Sequence, residues 1–129
     1  MKLLIYANGK TATRERLSIA IEGQVQNHSI EICETVDSLS ARLRQRTGDL
    51  AIVILCISSP EELKEILLLR AWLQDLRIIV LLPDRNSNTL SEGLTLRPRF
   101  VGYADTDFTD VSAVLARMSR IYGDESNWS

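Results

Sequence analysis

The chain has 129 residues, a formal net charge of −2, and 45% hydrophobic and 25% charged residues. That size fits one domain with a sizeable core, and the charge implies no general attraction to nucleic acid or to an anionic membrane. No apolar stretch approaches the roughly 20 residues of a spanning helix, and the start Met1–Tyr6 has too short an apolar core for a secretory signal. A cytoplasmic protein without membrane or nucleic-acid partners is expected.

In chain order, Lys2–Ala7 reads as a short strand. Thr11 or Thr13 can cap a helix whose inner stripe is Leu17, Ala20 and Ile21. Ser29–Cys33, with Ile30 and Ile32 alternating, reads as a second strand. Thr35 caps a helix carrying Val36, Leu39 and Leu43, stopped near Gly48. The apolar run Leu50–Ile57 is a third strand, buried on both faces.

Ser59-Pro60-Glu61-Glu62 is a strong helix start, with a cap, a proline at the first helical position, and acids against the positive end of the dipole. One helix is expected from there to about Gln74. Arg77–Leu82 is the fourth strand. Asn86–Leu94 is a weaker helix, rich in poor formers. Arg99–Tyr103 is a short fifth strand, and Pro98 before it suits a sheet edge. Thr106 or Asp107 caps a last helix carrying Val111, Val114, Leu115, Met118 and Ile121. Gly123–Ser129 reads as a polar tail after a 1–122 domain.

The pattern is (βα)5. Short βα links require parallel strands, and the most apolar strand belongs at the centre. The expected fold class is α/β: a three-layer sandwich around a parallel five-stranded sheet of order 2-1-3-4-5. Cys33 and Cys56 then have one strand between them, about 9–10 Å apart, beyond disulfide reach. Both are read as free thiols.

With element order and length in place, Gly48-Asp49-Leu50 before the apolar run, the segment Arg77–Leu82, and Gly102-Tyr103 at the end of the fifth strand carry a resemblance. From Lys2 to about Tyr122 the chain resembles the receiver domain of two-component response regulators, of flavodoxin-like fold. The resemblance implies four functional parts, and each fails here. Receivers hold Mg²⁺ with an acidic pair after the first strand, where this chain has Ala7-Asn8-Gly9. They place the phospho-accepting aspartate at the end of the third strand, where Cys56, Ile57 and Ser58 stand. The Ser or Thr after the fourth strand is replaced by Leu82-Pro83, and the lysine after the fifth by Tyr103-Ala104-Asp105. Phosphoryl transfer needs a carboxylate nucleophile and a hard cation held by carboxylate oxygens. The degenerate pocket of Asn8, Cys56, Ser58, Leu82 and Asp105 supplies neither, so no catalytic residue, metal or cofactor is expected.

Other features have plain readings. Gly9-Lys10-Thr11 lacks the second glycine of a P-loop, since Leu4 stands in its place, and suits a turn and cap. Cys56 has no adjacent base, with the single histidine, His28, before the second strand. Arg14, Arg16, Arg42, Arg44 and Arg46 suit solvated helix faces. In the third helix, Ile66, Leu69, Leu73 and Leu76 form one stripe with Leu63 and Leu67 beside it, while Leu68 and Trp72 fall on the far side. Either the helix bends and hides Trp72, or Leu68 and Trp72 bind a second subunit. Met118, Ile121 and Tyr122 on the last helix are the rival interface.

The sequence thus predicts a phosphorylation-independent pseudo-receiver, not an enzyme, acting through a protein partner or as a homodimer. The alternative is a flavodoxin-like sensor or enzyme binding a nucleotide or anion at Asn8, Gly9, Lys10, Ser58 and Ser59.

Overall fold

A computed structural model describes residues 2–8, 15–17, 19, 21, 29–45, 47–48, 50–104 and 108–123. The strands are β1 (Lys2–Ala7), β2 (Ser29–Cys33), β3 (Leu50–Cys56), β4 (Ile78–Leu82) and β5 (Phe100–Tyr103). All pair in parallel, in the order β2-β1-β3-β4-β5. The helices are α1 (Val36–Leu43), α2 (Pro60–Leu67), α3 (Arg70–Leu73), α4 (Ser87–Leu94) and α5 (Thr109–Gly123). Residues 15–17, 19 and 21, between β1 and β2, are also helical.

Alternation along the strands divides the core in two. Leu4, Tyr6, Val53, Leu55, Val80 and Leu82 face Leu39, Leu43, Leu63, Ile66 and Leu73 of α1–α3. Leu3, Ile5, Ile52, Ile54, Cys56 and Leu81 face Leu17, Ile21 and, from α5, Val111, Leu115 and Met118. β3 is the central strand and is buried on both faces, as its unbroken apolar run requires.

The expected caps are found where the chain is described. The Thr35 hydroxyl accepts from Ser38 N at 3.0 Å, while Thr35 N donates to Ser38 Oγ at 3.2 Å, a reciprocal capping box on α1. Ser59 caps α2 with Pro60 in its first turn, and Asn86 caps α4. The proposed caps Thr11, Thr13, Thr106 and Asp107 lie outside the described residues. So does the tail beyond Gly123, and Gly123 itself closes α5.

The single helix expected from Pro60 to Gln74 is instead two. Leu68 N and Leu69 N bond to carbonyls three residues back, Glu65 at 3.2 Å and Ile66 at 2.9 Å. This tighter winding ends α2 and starts α3. It keeps Ile66, Leu69 and Leu73 on the core and turns Leu68 outward, 83% exposed. The apolar periodicity runs through the break, so it gave no sign of it. The bend does not hide Trp72, which stays 50% exposed.

Candidate functional site

In open parallel sheets ligands collect beyond the C-terminal strand ends. Register aligns those ends: Ala7 with Cys56, Cys56 with Leu81, and Leu82 with Tyr103. Asn8 and Ser58 are thereby brought to one edge.

Glu62 links them. It sits three residues after the cap Ser59, the spacing of a capping box, in which its side chain would return to the cap's own N–H. Here it reaches one residue further. Ser58 N donates to Oε1 at 3.2 Å, Ser58 Oγ donates to Oε2 at 2.8 Å, and Asn8 Nδ2 donates to Oε2 at 2.8 Å. Glu62 is 6% exposed, so this is a buried carboxylate with its oxygens occupied from inside the chain. The sequence reading assigned Glu62 to the helix dipole and missed this role. The Ser59-to-Glu62 spacing was the available signal, but Asn8 lies 54 residues away.

Beneath this cluster is Tyr6, fully buried, its hydroxyl without a hydrogen-bond partner among the described residues. Burial, then the charge of Glu62, raises the phenol well above its usual range.

Cys56 is 4% exposed, and burial pushes its thiol up to about 11, with the Glu62 charge adding to the shift and Arg16 opposing it. Burial also raises Cys33. Both thiols are free and protonated at neutral pH, the opposite of an activated nucleophile. Leu82 is fully buried against α4, where Gly93 makes close approach possible: a β-carbon there would lie 2.9 Å from Leu82 Cδ2. Beyond β5 stands Ala104, whose carbonyl accepts from Arg16 Nη2 at 3.4 Å; the Arg16 guanidinium also lies over the Phe108 ring. Arg85 stacks on Tyr103, 4.3 Å from its ring centre. Asp105, Gly9 and Lys10 lie outside the described residues. Of the arginines, Arg42 is 8% exposed and pairs with Glu31, which also holds Lys2 at 3.3 Å. Arg14 and Arg46 are not described.

A crevice of about 360 Å³ opens beside this cluster, between the starts of α1 and α2. Asn8 and Ser59 line it, with Tyr6, Thr35, Asp37, Glu61, Glu62 and Glu65. Four carboxylates around one crevice repel an anion, so the nucleotide or anion alternative is not favoured. Among the described residues no three His, Cys, Asp or Glu side chains are grouped to hold a metal ion, and no helix is long and apolar enough to cross a membrane.

At the other end of α2, Leu68 joins Leu67, Arg70, Ala71, Gln74, Thr95, Leu96 and Arg97 around a groove of about 570 Å³. Leu94, 51% exposed, is at the end of α4 just before it. Met118 is 6% exposed and packs into the core with Val111 and Leu115, so it offers little surface. The side chains of Ile121 and Tyr122 lie outside those described.

No protein-family model matches the sequence, and no curated protein does. The fold is shared by solved structures. The RcsB response regulator of Salmonella typhimurium is 22% identical with a TM-score of 0.70; the match covers 93% of this chain and 60% of that one. This chain therefore spans 60% of that protein's length. A two-component response regulator of Legionella pneumophila is 14% identical, with a TM-score of 0.70, covering 96% of this chain and 99% of its own. The Mn(2+)-bound form of response regulator Rcp1 is 12% identical, with a TM-score of 0.69 and 92% of each chain covered. The likeness is one of fold: the five-stranded parallel architecture of receiver domains.

Proposed function

We propose that this chain is a receiver-like signalling domain that works without phosphorylation, by contact with another protein, a second copy of itself first among them. The observation that carries this reading is the state of Glu62, the carboxylate that joins the ends of β1 and β3 among the described residues. Glu62 comes from a helix and is already bonded to Asn8 and Ser58. A phospho-acceptor must present an accessible oxygen to the donor, whereas Glu62 is 6% exposed and accepts three bonds from within the chain. Cys56, at the end of β3, holds its proton at neutral pH, and Leu82 has no hydroxyl with which to sense a phosphoryl group.

A domain without that chemistry retains its surfaces. Leu68, Trp72 and Leu94 are large apolar side chains, each at least half exposed. Trp is the residue type most enriched where binding energy concentrates. Leu68 and Trp72, with Arg70 beside them, form the contact face in this reading, and the last helix is its rival.

Analytical ultracentrifugation of wild type and Trp72→Ala tests it. The reading expects reversible self-association of the wild type and a shift toward monomer in the variant. Monomers for both at high concentration would remove the homodimer and leave only a different protein as partner.

A further inference from the structure

We propose that the groove between α3 and the end of α4 receives the segment Asp124–Trp128 of a second copy of this chain. Trp128 would sit among the groove's leucines, with Asp124 and Glu125 on Arg70 and Arg97. The proposal rests on the reading that the chain self-associates, and it names the segment that does so.

The groove has about 570 Å³, within the roughly 300–1,000 Å³ usual for pockets that take a ligand. Its apolar wall is Leu67, Leu68, Ala71 and Leu96, and the charged residues of its lining are Arg70 and Arg97. Both arginines are exposed, and neither makes an ion pair among the described residues. An apolar wall flanked by two cations, in a chain of net charge −2, is complementary to an occupant that is both apolar and acidic.

The backbone at Arg97 is a second sign. Its φ is 54°, in the left-handed region that glycine adopts without strain. Shortly after the end of α4 a glycine would carry the same turn more easily. The chain keeps an arginine there, and its side chain lines the groove.

The matching chemistry follows the last helix. Gly123-Asp124-Glu125-Ser126-Asn127-Trp128-Ser129 holds two acids, no base and a Trp, the residue type most enriched at binding hot spots. Tyr103–Asp110 is also acidic and aromatic, but its Phe108 is fully buried in the core and is not available to a groove.

The donor is another copy. α5 packs on the sheet face of Leu3 and Ile5, whereas Leu67 and Leu96 belong to the core on the opposite face. Trp128 is five residues past Gly123, a reach of about 17 Å. Passing from the layer of α5 to that of α3 takes two interlayer distances of about 10 Å each, with the turn around the sheet in addition. A chain's own segment falls short of its own groove; a neighbour's is under no such limit.

Sedimentation equilibrium of the full chain tests this. The wild type is expected to self-associate, and Trp128→Ala to raise the dissociation constant at least tenfold. Reversing the groove, by Arg70→Glu with Arg97→Glu, is expected to weaken association by a similar factor, and so is Asp124→Arg with Glu125→Arg. All four changes in one chain are expected to restore association, which a misfolded variant would not do. Arg97→Gly is expected to weaken association severalfold while the melting temperature stays or rises, since glycine relieves the left-handed backbone. Variants of Asp124, Glu125 and Trp128 that associate as the wild type does would overturn the proposal and leave self-association through Leu68 and Trp72 standing. Failure of the fourfold variant to recover would also overturn it. A wild type that stays monomeric at high concentration would remove this docking together with the homodimer, and would leave the phosphorylation-independent reading untouched.

Discussion

Asn8 Nδ2 donates to Glu62 Oε2 at 2.8 Å, joining the end of β1 to the first turn of α2 across 54 residues of sequence. With Ser58 on the same carboxylate, the bond makes a structural joint at the C-terminal edge of the sheet.

Breaking that joint is expected to be costly. Glu62→Ala leaves the Asn8 amide and the Ser58 N–H and hydroxyl without their acceptor, and should lower unfolding free energy by about 2–4 kcal/mol. Asn8→Ala, at an exposed residue giving one of the three bonds, should cost about 1 kcal/mol. Urea denaturation of both variants measures the difference. Equal, small losses would mean the carboxylate is not held as described.

Alkaline pH should destabilise the protein through Cys56 and Tyr6. Each holds its proton more tightly folded than unfolded, so its contribution is complete below the unfolded value and is lost as pH rises above it. For Cys56 that window runs from 9 to about 11, with a slope of about −1.4 kcal/mol per pH unit. For Tyr6 it opens at 10 and extends upward. Cys56→Ala should flatten the first part of the profile and Tyr6→Phe the later part, read from urea midpoints across pH. A wild-type profile unchanged to pH 11, or one that Cys56→Ala leaves as steep, would contradict the burial of the thiol.

Two leucines five residues apart should behave in opposite ways. Leu73 is fully buried and Leu68 is 83% exposed. Leu73→Ala is expected to cost about 2–5 kcal/mol, while Leu68→Ser should stay within about 0.5 kcal/mol. Thermal melts of the pair test which way the two side chains face. A large loss in Leu68→Ser would refute the assignment of that side chain to the surface.

The fold was legible because burial alternates with a fixed period. Leu50–Ile57 announced a central strand, one residue longer than the strand found, and Thr35 and Ser59 announced helix starts through local chemistry that needs only four residues. What escaped was non-local. Nothing near Glu62 indicates Asn8 as its partner, and the stripe Ile66, Leu69, Leu73 reads as one helix because the break preserves it. Met118 was read both on the apolar stripe of the last helix and as part of a rival interface; it faces the sheet beside Leu115. That Glu62, from a helix, bonds to Asn8 and Ser58 at the strand ends was not legible from residue types.

The α1 capping box offers a control on local energetics. Thr35→Ala removes the acceptor of Ser38 N and should cost about 1 kcal/mol, measured by urea denaturation. A neutral result would show that tertiary contacts alone hold the start of α1.

The most direct test of the central claim is intact-mass spectrometry after incubation with Mg²⁺ and acetyl phosphate. The account predicts an unchanged mass, since Glu62 is occupied and Cys56 is protonated. A stoichiometric, acid-labile phosphoryl adduct on any residue of the β1 and β3 ends would contradict it.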